Sequence, residues 1–272
     1  MFSNFLLILG VLTFTLALRT FQHPLLQKLS AVGIFTTSFL IGWLLTGYWI
    51  VGAFLAATWL FLPWLDLITR IRKLSLPMER SLRHKAPPNL QSFPALNELT
   101  EEIENEAFEH VDDSGWDWDD YQQFFRLFHK ADERMQAAIC LVDQHDVAFY
   151  YIFVSSRAKN GIIWTTWNYP FSYSLKLAPQ CRVKRLRGDL SFLQLLETHR
   201  HFLHENGVAV DQLEDLDPET IQAEIQKDLR TQIAHNVAAG VLTLDTQGGV
   251  RYSWRGLFFL WVQFLRDLVR LS

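Results

Sequence analysis

From Leu29 to Leu65 the chain runs for 37 residues without a charged side chain, and that run limits what the remainder can be. A bilayer hydrocarbon core about 30 Å thick is crossed by roughly 20 helical residues, so the run is too long for one straight span and long enough for two short ones. A hairpin is expected, with its turn at Thr46, Gly47 and Tyr48. The glycine frees the backbone there, and Tyr48 and Trp49 carry amphipathic rings that settle at headgroup level. Pro63 and Trp64 mark the other interface. Upstream, Phe2 to Leu18 is apolar throughout, at the lower limit of a span. No Lys or Arg precedes it and no small-x-small cleavage site falls before Arg19, so an uncleaved helix is expected. Helices near 2–18, 30–46 and 49–67 would form a three-span anchor over residues 1–73.

Lys and Arg beside a span are retained on the cytoplasmic side of a membrane. Bases crowd residues 70–85, and Arg19 and Lys28 flank the first loop. The expected arrangement is an integral protein of a cell membrane, such as the bacterial inner membrane, with the hairpin turn outside and everything after it in the cytoplasm. Arg70, Arg72 and Lys73 are the expected contacts to lipid headgroups. No ionisable group lies between Leu29 and Leu65, which disfavours transport or proton relay. The net charge of -4 conceals two poles, because residues 96–120 hold acidic side chains and neither Lys nor Arg. A nucleic-acid partner would want a basic, aromatic-interleaved face on the folded domain. Here the bases sit beside the membrane, so none is expected.

Residues 74–95 carry Pro77, Pro87, Pro88 and Pro94 with few apolar groups and read as a stiff connector. Residues 96–250 read as a soluble α+β domain, an antiparallel sheet packed by helices. An acidic amphipathic helix comes first, with Leu96, Leu99, Ile103 and Ala107 at helical spacing and Asn97 or Thr100 as its cap. Four strands follow in QFFRLFHK, RMQAAICLV, VAFYYIFVSS and IIWTTWNY, with a tight hairpin at Asn160-Gly161 and a fifth strand in CRVKRL. One helix is expected to open at Gly188-Asp189 and close at Asn206-Gly207. A second starts at Pro218 and runs toward Gly240 through Ile221, Ile225, Leu229, Ile233 and Val237. Cys140 and Cys181 cannot build a disulfide framework and read as free thiols. Residues 251–272 read as an amphipathic helix in the plane of an anionic cytoplasmic leaflet. Trp254, Phe258, Phe259, Trp261 and Phe264 are its apolar part, and Arg255, Gln263, Arg266, Asp267 and Arg270 its polar stripe.

Two clusters bear on chemistry. The stretch Asp112 to Asp120 (DDSGWDWDD) invites a divalent-cation reading, but it lacks the ligand alternation of a calcium loop and reads better as a solvated turn. Glu197, His201 and His204 place ligand types near one helical face, with His199 off it, and a helix with one apolar face also solvates its polar face in this way. If the clusters met, Glu197, His201, His204 and one or more of Asp112, Asp113, Asp117, Asp119 and Asp120 would suit a membrane-bound, metal-dependent hydrolase. Nucleophile-elbow, phosphate-loop, dinucleotide and zinc-protease signatures are absent from the sequence, so no cofactor is expected. The leading expectation is a membrane-anchored scaffold or accessory subunit whose domain binds a protein partner or a second copy of itself.

Overall fold

The computed structural model describes residues 2–271 apart from 22–23, 79–80, 90–92, 119–120, 145–146, 172, 189 and 246–247. In chain order the helices are α1 (Phe2–Arg19), α2 (Pro24–Thr46), α3 (Trp49–Thr69), α4 (Leu96–Asn105), α5 (Phe192–Glu205), α6 (Ile221–Ala238) and α7 (Trp254–Leu271). The strands are β1 (Leu76–Pro77), β2 (Arg83–His84), β3 (Glu109–Trp118), β4 (Tyr121–Lys130), β5 (Met135–Gln144), β6 (Val147–Arg157), β7 (Ile163–Trp167), β8 (Cys181–Arg185), β9 (Leu242–Leu244) and β10 (Gly249–Tyr252). The chain divides into two compact units. One comprises Met1–Ser75, Ser172–Ser174 and Arg251–Ser272; the other comprises Leu76–Phe171 and Leu175–Val250.

In the first unit, the segments Lys28–Thr46 and Trp49–Lys73 are long and apolar enough to cross a membrane. The 18 residues of α1 rise about 27 Å, at the lower limit for a typical hydrocarbon core, and among the described residues it is those two segments that are long and apolar enough to cross one. The turn between α2 and α3 falls where the glycine allows it: Gly47 has φ +80° and its N–H donates to the Trp43 carbonyl. The two helices approach through glycine. A Cβ built on Gly42 would stand 2.7 Å from the Gly52 Cα, closer than any side chain tolerates, and such backbone proximity is how helices associate in lipid. The large side chains of the pair, including Leu45, Ile50, Phe54, Phe61 and Leu65, are exposed. The C-terminal helix α7 packs against the same hairpin. The Trp261 indole N–H donates to the Leu60 carbonyl at 2.9 Å, its ring lies 5.8 Å from that of Trp64, and the Arg72 guanidinium sits 4.1 Å over the Trp254 ring.

The second unit is built on a seven-stranded sheet of order β2-β3-β4-β5-β6-β7-β8. The alternation legible in the sequence gives β4, β5, β6 and β7 as antiparallel neighbours, with Gly161 at φ +81° in the turn before β7. The sheet is mixed rather than purely antiparallel, because β8 runs parallel to β7. A connection of a dozen or more residues is what a parallel pair requires, and residues 168–180 supply it. One face, with Phe124, Phe128, Ile139, Ile152, Val154 and Trp164, packs on α4 and α5. The other, with Phe125, Leu127, Ala138, Cys140, Val142 and Tyr151, takes Ile221 and Ile225 of α6. Each strand therefore feeds two cores through its period of two.

Several local expectations change. Residues 112–118, expected as a solvated turn, belong to β3, with Ser114 and Trp116 buried. The Pro-rich connector is partly sheet: β1 pairs with β10, β2 pairs with β3, and Leu82 is buried in the second core. Asn97 and Thr100 lie inside α4 rather than capping it, and Ala107 falls beyond its end at φ +61°. Ser191 opens α5 through a capping box with Gln194, so the start lies past Gly188, and Asp189 is outside the described residues. The close of α5 is as expected, with Gly207 at φ +68°.

Candidate functional site

The aspartates Asp112, Asp113 and Asp117 of β3 are each engaged with a base from another segment. Asp112 meets the His84 Nδ1 at 2.9 Å and accepts from Ser114 at 2.7 Å. Asp113 accepts two bonds from Arg126, at 2.9 and 2.8 Å, and lies 3.1 Å from His110. Asp117 accepts from Lys85. Burial opposes ionisation of Asp113, but the Arg126 and His110 hydrogen bonds outweigh it and hold the carboxyl below its ordinary range. Asp112 is lowered in the same way by Ser114 and His84 against the cost of burial. Asp119 and Asp120 lie outside the described residues.

On α5, Glu197, His201 and His204 are exposed, and His201 pairs with Glu205 at 3.0 Å on its own helix. That helix packs on β6 and β7, while β3 stands three strands away from β6, a separation of about 14 Å at ordinary strand spacing. The structure thus does not bring His201 and His204 to Asp112, Asp113 or Asp117. Among the described residues no group of three His, Cys, Asp or Glu side chains is placed to hold a metal ion. The membrane-surface candidates Arg70, Lys73, Arg255 and Arg266 are exposed, with Arg70 also 3.1 Å from Asp66. The Arg270 side chain is outside the described residues.

His199, on the same helix, is wholly buried. Its Nδ1 lies 3.0 Å from the Thr166 hydroxyl and its Nε2 3.1 Å from that of Ser156. Burial pushes its pKa down to about 3, so the ring is neutral and joins α5 to β6 and β7. An enclosed imidazole with both nitrogens satisfied is a structural tie, since no reactant reaches it.

An open polar cleft lies elsewhere. A cleft of about 380 Å³ separates β3 and β4 from the start of α6, a volume within the usual range of ligand pockets. Glu109 and Asp112 come from β3, His129 from β4, and Pro218, Glu219 and Gln222 from the far wall. The register sets Glu109 directly opposite His129. His129 is 6% exposed and its Nε2 has no hydrogen-bond partner. Across the cleft, the Asp217 carboxylate accepts the Glu219 N–H at 3.0 Å at the head of a short 3-10 turn, Pro218–Thr220, that leads into α6. Neither Glu109 nor Glu219 pairs its carboxylate with a cation among the described residues. Sequence reasoning passed over His129 and Glu219. The available signal was a second acidic stretch, 201–226, which like 96–120 contains no Lys or Arg. No protein-family model, curated protein or solved structure matches this chain.

Proposed function

We propose that this chain is a membrane-anchored scaffold or accessory subunit, whose α+β domain lies on the cytoplasmic side and binds a protein partner. The observation that carries the reading is the outward exposure of apolar side chains on α2 and α3, with Leu45 75% and Phe54 73% exposed. In water each such side chain forfeits about 25 cal/mol for every Å² left uncovered, whereas in lipid it meets a solvent of its own kind. The bases that follow α3 support a cytoplasmic domain through the charge bias of membrane insertion. The domain has a core on each face of its sheet and an open polar cleft on one of them, which suits recognition.

Location and partnership are tested separately. In cells, Gly47→Cys is expected to react with a membrane-impermeant maleimide and Ser81→Cys to stay protected until the membrane is opened. Labelling at Ser81→Cys alone would reverse the orientation. Purification in mild detergent is expected to recover a stoichiometric partner or a homo-oligomer, and a clean monomer would count against the scaffold reading.

A further inference from the structure

We infer that the cleft between the β3–β4 pair and the start of α6 is a receptor for a cationic side chain, arginine or lysine, presented by a basic peptide segment of a protein partner. The inference rests on the partner-binding reading above and adds the chemistry of the contact.

Charge comes first. Two acidic stretches far apart in sequence, 96–120 and 201–226, contain no Lys or Arg, and the fold brings them face to face here. Glu109 and Asp112 stand on one wall and Glu219 on the other. Asp112 is already engaged by His84 and Ser114, but Glu109 and Glu219 have no cationic partner among the described residues. Two carboxylates across an open cleft repel each other and gain most from a cation placed between them.

The second observation is independent of charge. His129 is more than nine-tenths buried, lines the cleft, and leaves its Nε2 without a hydrogen bond. A buried polar atom without a partner costs roughly 1–3 kcal/mol, and such atoms in folded proteins mark a place where something else completes the bond. With the ring proton on Nδ1, Nε2 is an acceptor, as a guanidinium or ammonium N–H requires. Gln222, whose side-chain amide carries an acceptor oxygen, lines the opposite wall. An anion is a poor fit, since the Glu219 N–H is already taken by Asp217, Pro218 has no N–H to offer, and the Glu109, Asp112 and Glu219 carboxylates line the cleft.

The test uses the full chain in nanodiscs of phosphatidylcholine, so that a basic probe has no anionic lipid to bind. The probe is a fluorescent peptide of three arginines spaced by glycines, read by anisotropy beside its citrulline counterpart, which keeps the shape and loses the charge. The expected result is saturable binding of the arginine peptide alone. The pair Glu109→Gln and Glu219→Gln should weaken it about tenfold or more, the scale of a lost charge-assisted contact. Glu98→Gln with Glu101→Gln, exposed on α4 at the opposite face of the sheet, removes the same charge and should change it by less than about twofold. His129→Phe should weaken binding as well. The proposal is overturned if the arginine peptide fails to bind the wild-type chain, if the citrulline peptide binds equally, or if both double variants lose affinity alike. It is also overturned if zinc chloride alone binds one to one and is lost in His129→Phe, which would make the cleft a metal site. A partner that co-purifies undiminished with the Glu109→Gln and Glu219→Gln chain would overturn the cleft while leaving the scaffold reading standing.

Discussion

The Nε2 of His199 lies 3.1 Å from the Ser156 hydroxyl, inside a helix-to-sheet contact that leaves the histidine no exposed surface. Its pKa falls from an ordinary 6.5 to about 3 because burial penalises the charged ring. A folded-state pKa below the unfolded one means that the unfolded chain takes up the proton first. The stabilisation is therefore whole above pH 6.5 and is lost as pH falls toward 3, at about 1.4 kcal/mol per pH unit over that interval. The depressed carboxyls Asp112, Asp113 and Glu133 titrate below their ordinary values of 3.8 to 4.5, and comparing the wild type with His199→Gln between pH 6.5 and 4.5 cancels the groups that the two proteins share. Denaturant unfolding across that window is expected to show a steep loss of stability in the wild type and a shallower one in His199→Gln. Equal slopes would show that His199 does not carry the acid sensitivity.

Glu133 makes a second, lower pH window. Two bonds from Arg200, at 2.6 and 2.7 Å, lead the effect, and with Lys130 at 2.8 Å they outweigh burial and lower its pKa to about 2. A depressed acid contributes stability that is present above pH 4.5 and disappears as pH falls through 2. Glu133→Gln is expected to cost about 1 kcal/mol at pH 7, near the upper end for exposed pairs because Arg200 is partly solvated. The same variant should approach the wild type near pH 2 to 3. A pH-independent deficit would mean that the side chain acts by packing alone.

How much of this is legible in the sequence depends on whether the cause is local. The α2–α3 hairpin reads directly, because an uncharged run and a glycine between aromatic residues act within the segment itself. Strands β4 to β7 read because the alternation of Phe125, Leu127 and their neighbours feeds one core per face. The strand β3 does not read, because the run of aspartates around Gly115 mimics a turn until His84, Arg126 and Lys85 arrive from elsewhere to pair with Asp112, Asp113 and Asp117. The parallel pairing of β8 is equally hidden, since Cys181 and Val183 alternate in the same way whichever direction the neighbour runs. The cleft is the extreme case. Glu109 and Glu219 are ordinary surface acids in their own segments, and only the packing of α6 against the sheet makes them face each other.

The contact of α7 with the hairpin gives a third prediction. Trp261 fixes it through the indole bond to the Leu60 carbonyl and through its ring against Trp64. Trp261→Phe keeps most of the ring and removes the donor, so a loss of about 1 kcal/mol is expected. Trp261→Ala removes both and should cost about 3 kcal/mol. Arg255→Gln, on the exposed side of the helix, should leave stability within about 0.5 kcal/mol. Thermal unfolding in detergent, with limited proteolysis after Arg251, measures each. Protection unchanged in Trp261→Ala would show that α7 is held by something other than this seam.

The glycine contact in the hairpin is the most exacting test of the anchor. A Cβ on Gly42 would meet the Gly52 Cα at 2.7 Å and the Gly52 backbone nitrogen at 2.8 Å, and backbone atoms cannot rotate away as the end of a side chain can. Gly42→Ala must therefore drive α2 and α3 apart, at a cost of about 1–3 kcal/mol for overpacking a close contact. In lipid that cost is not offset by any gain in hydrophobic burial, because the separated surfaces meet acyl chains that are as apolar as leucine. Gly10, on α1, is the internal control, since a Cβ there meets nothing within 4 Å. Gly10→Ala should leave the melting temperature unchanged or raise it slightly through the better helix propensity of alanine. The two variants add the same methyl group to the same kind of helix, so any difference between them reports the approach of α2 to α3. Melting of both proteins in the same detergent measures that difference directly. If Gly42→Ala and Gly10→Ala unfold together, the close crossing at Gly42 and Gly52 is not what holds the hairpin.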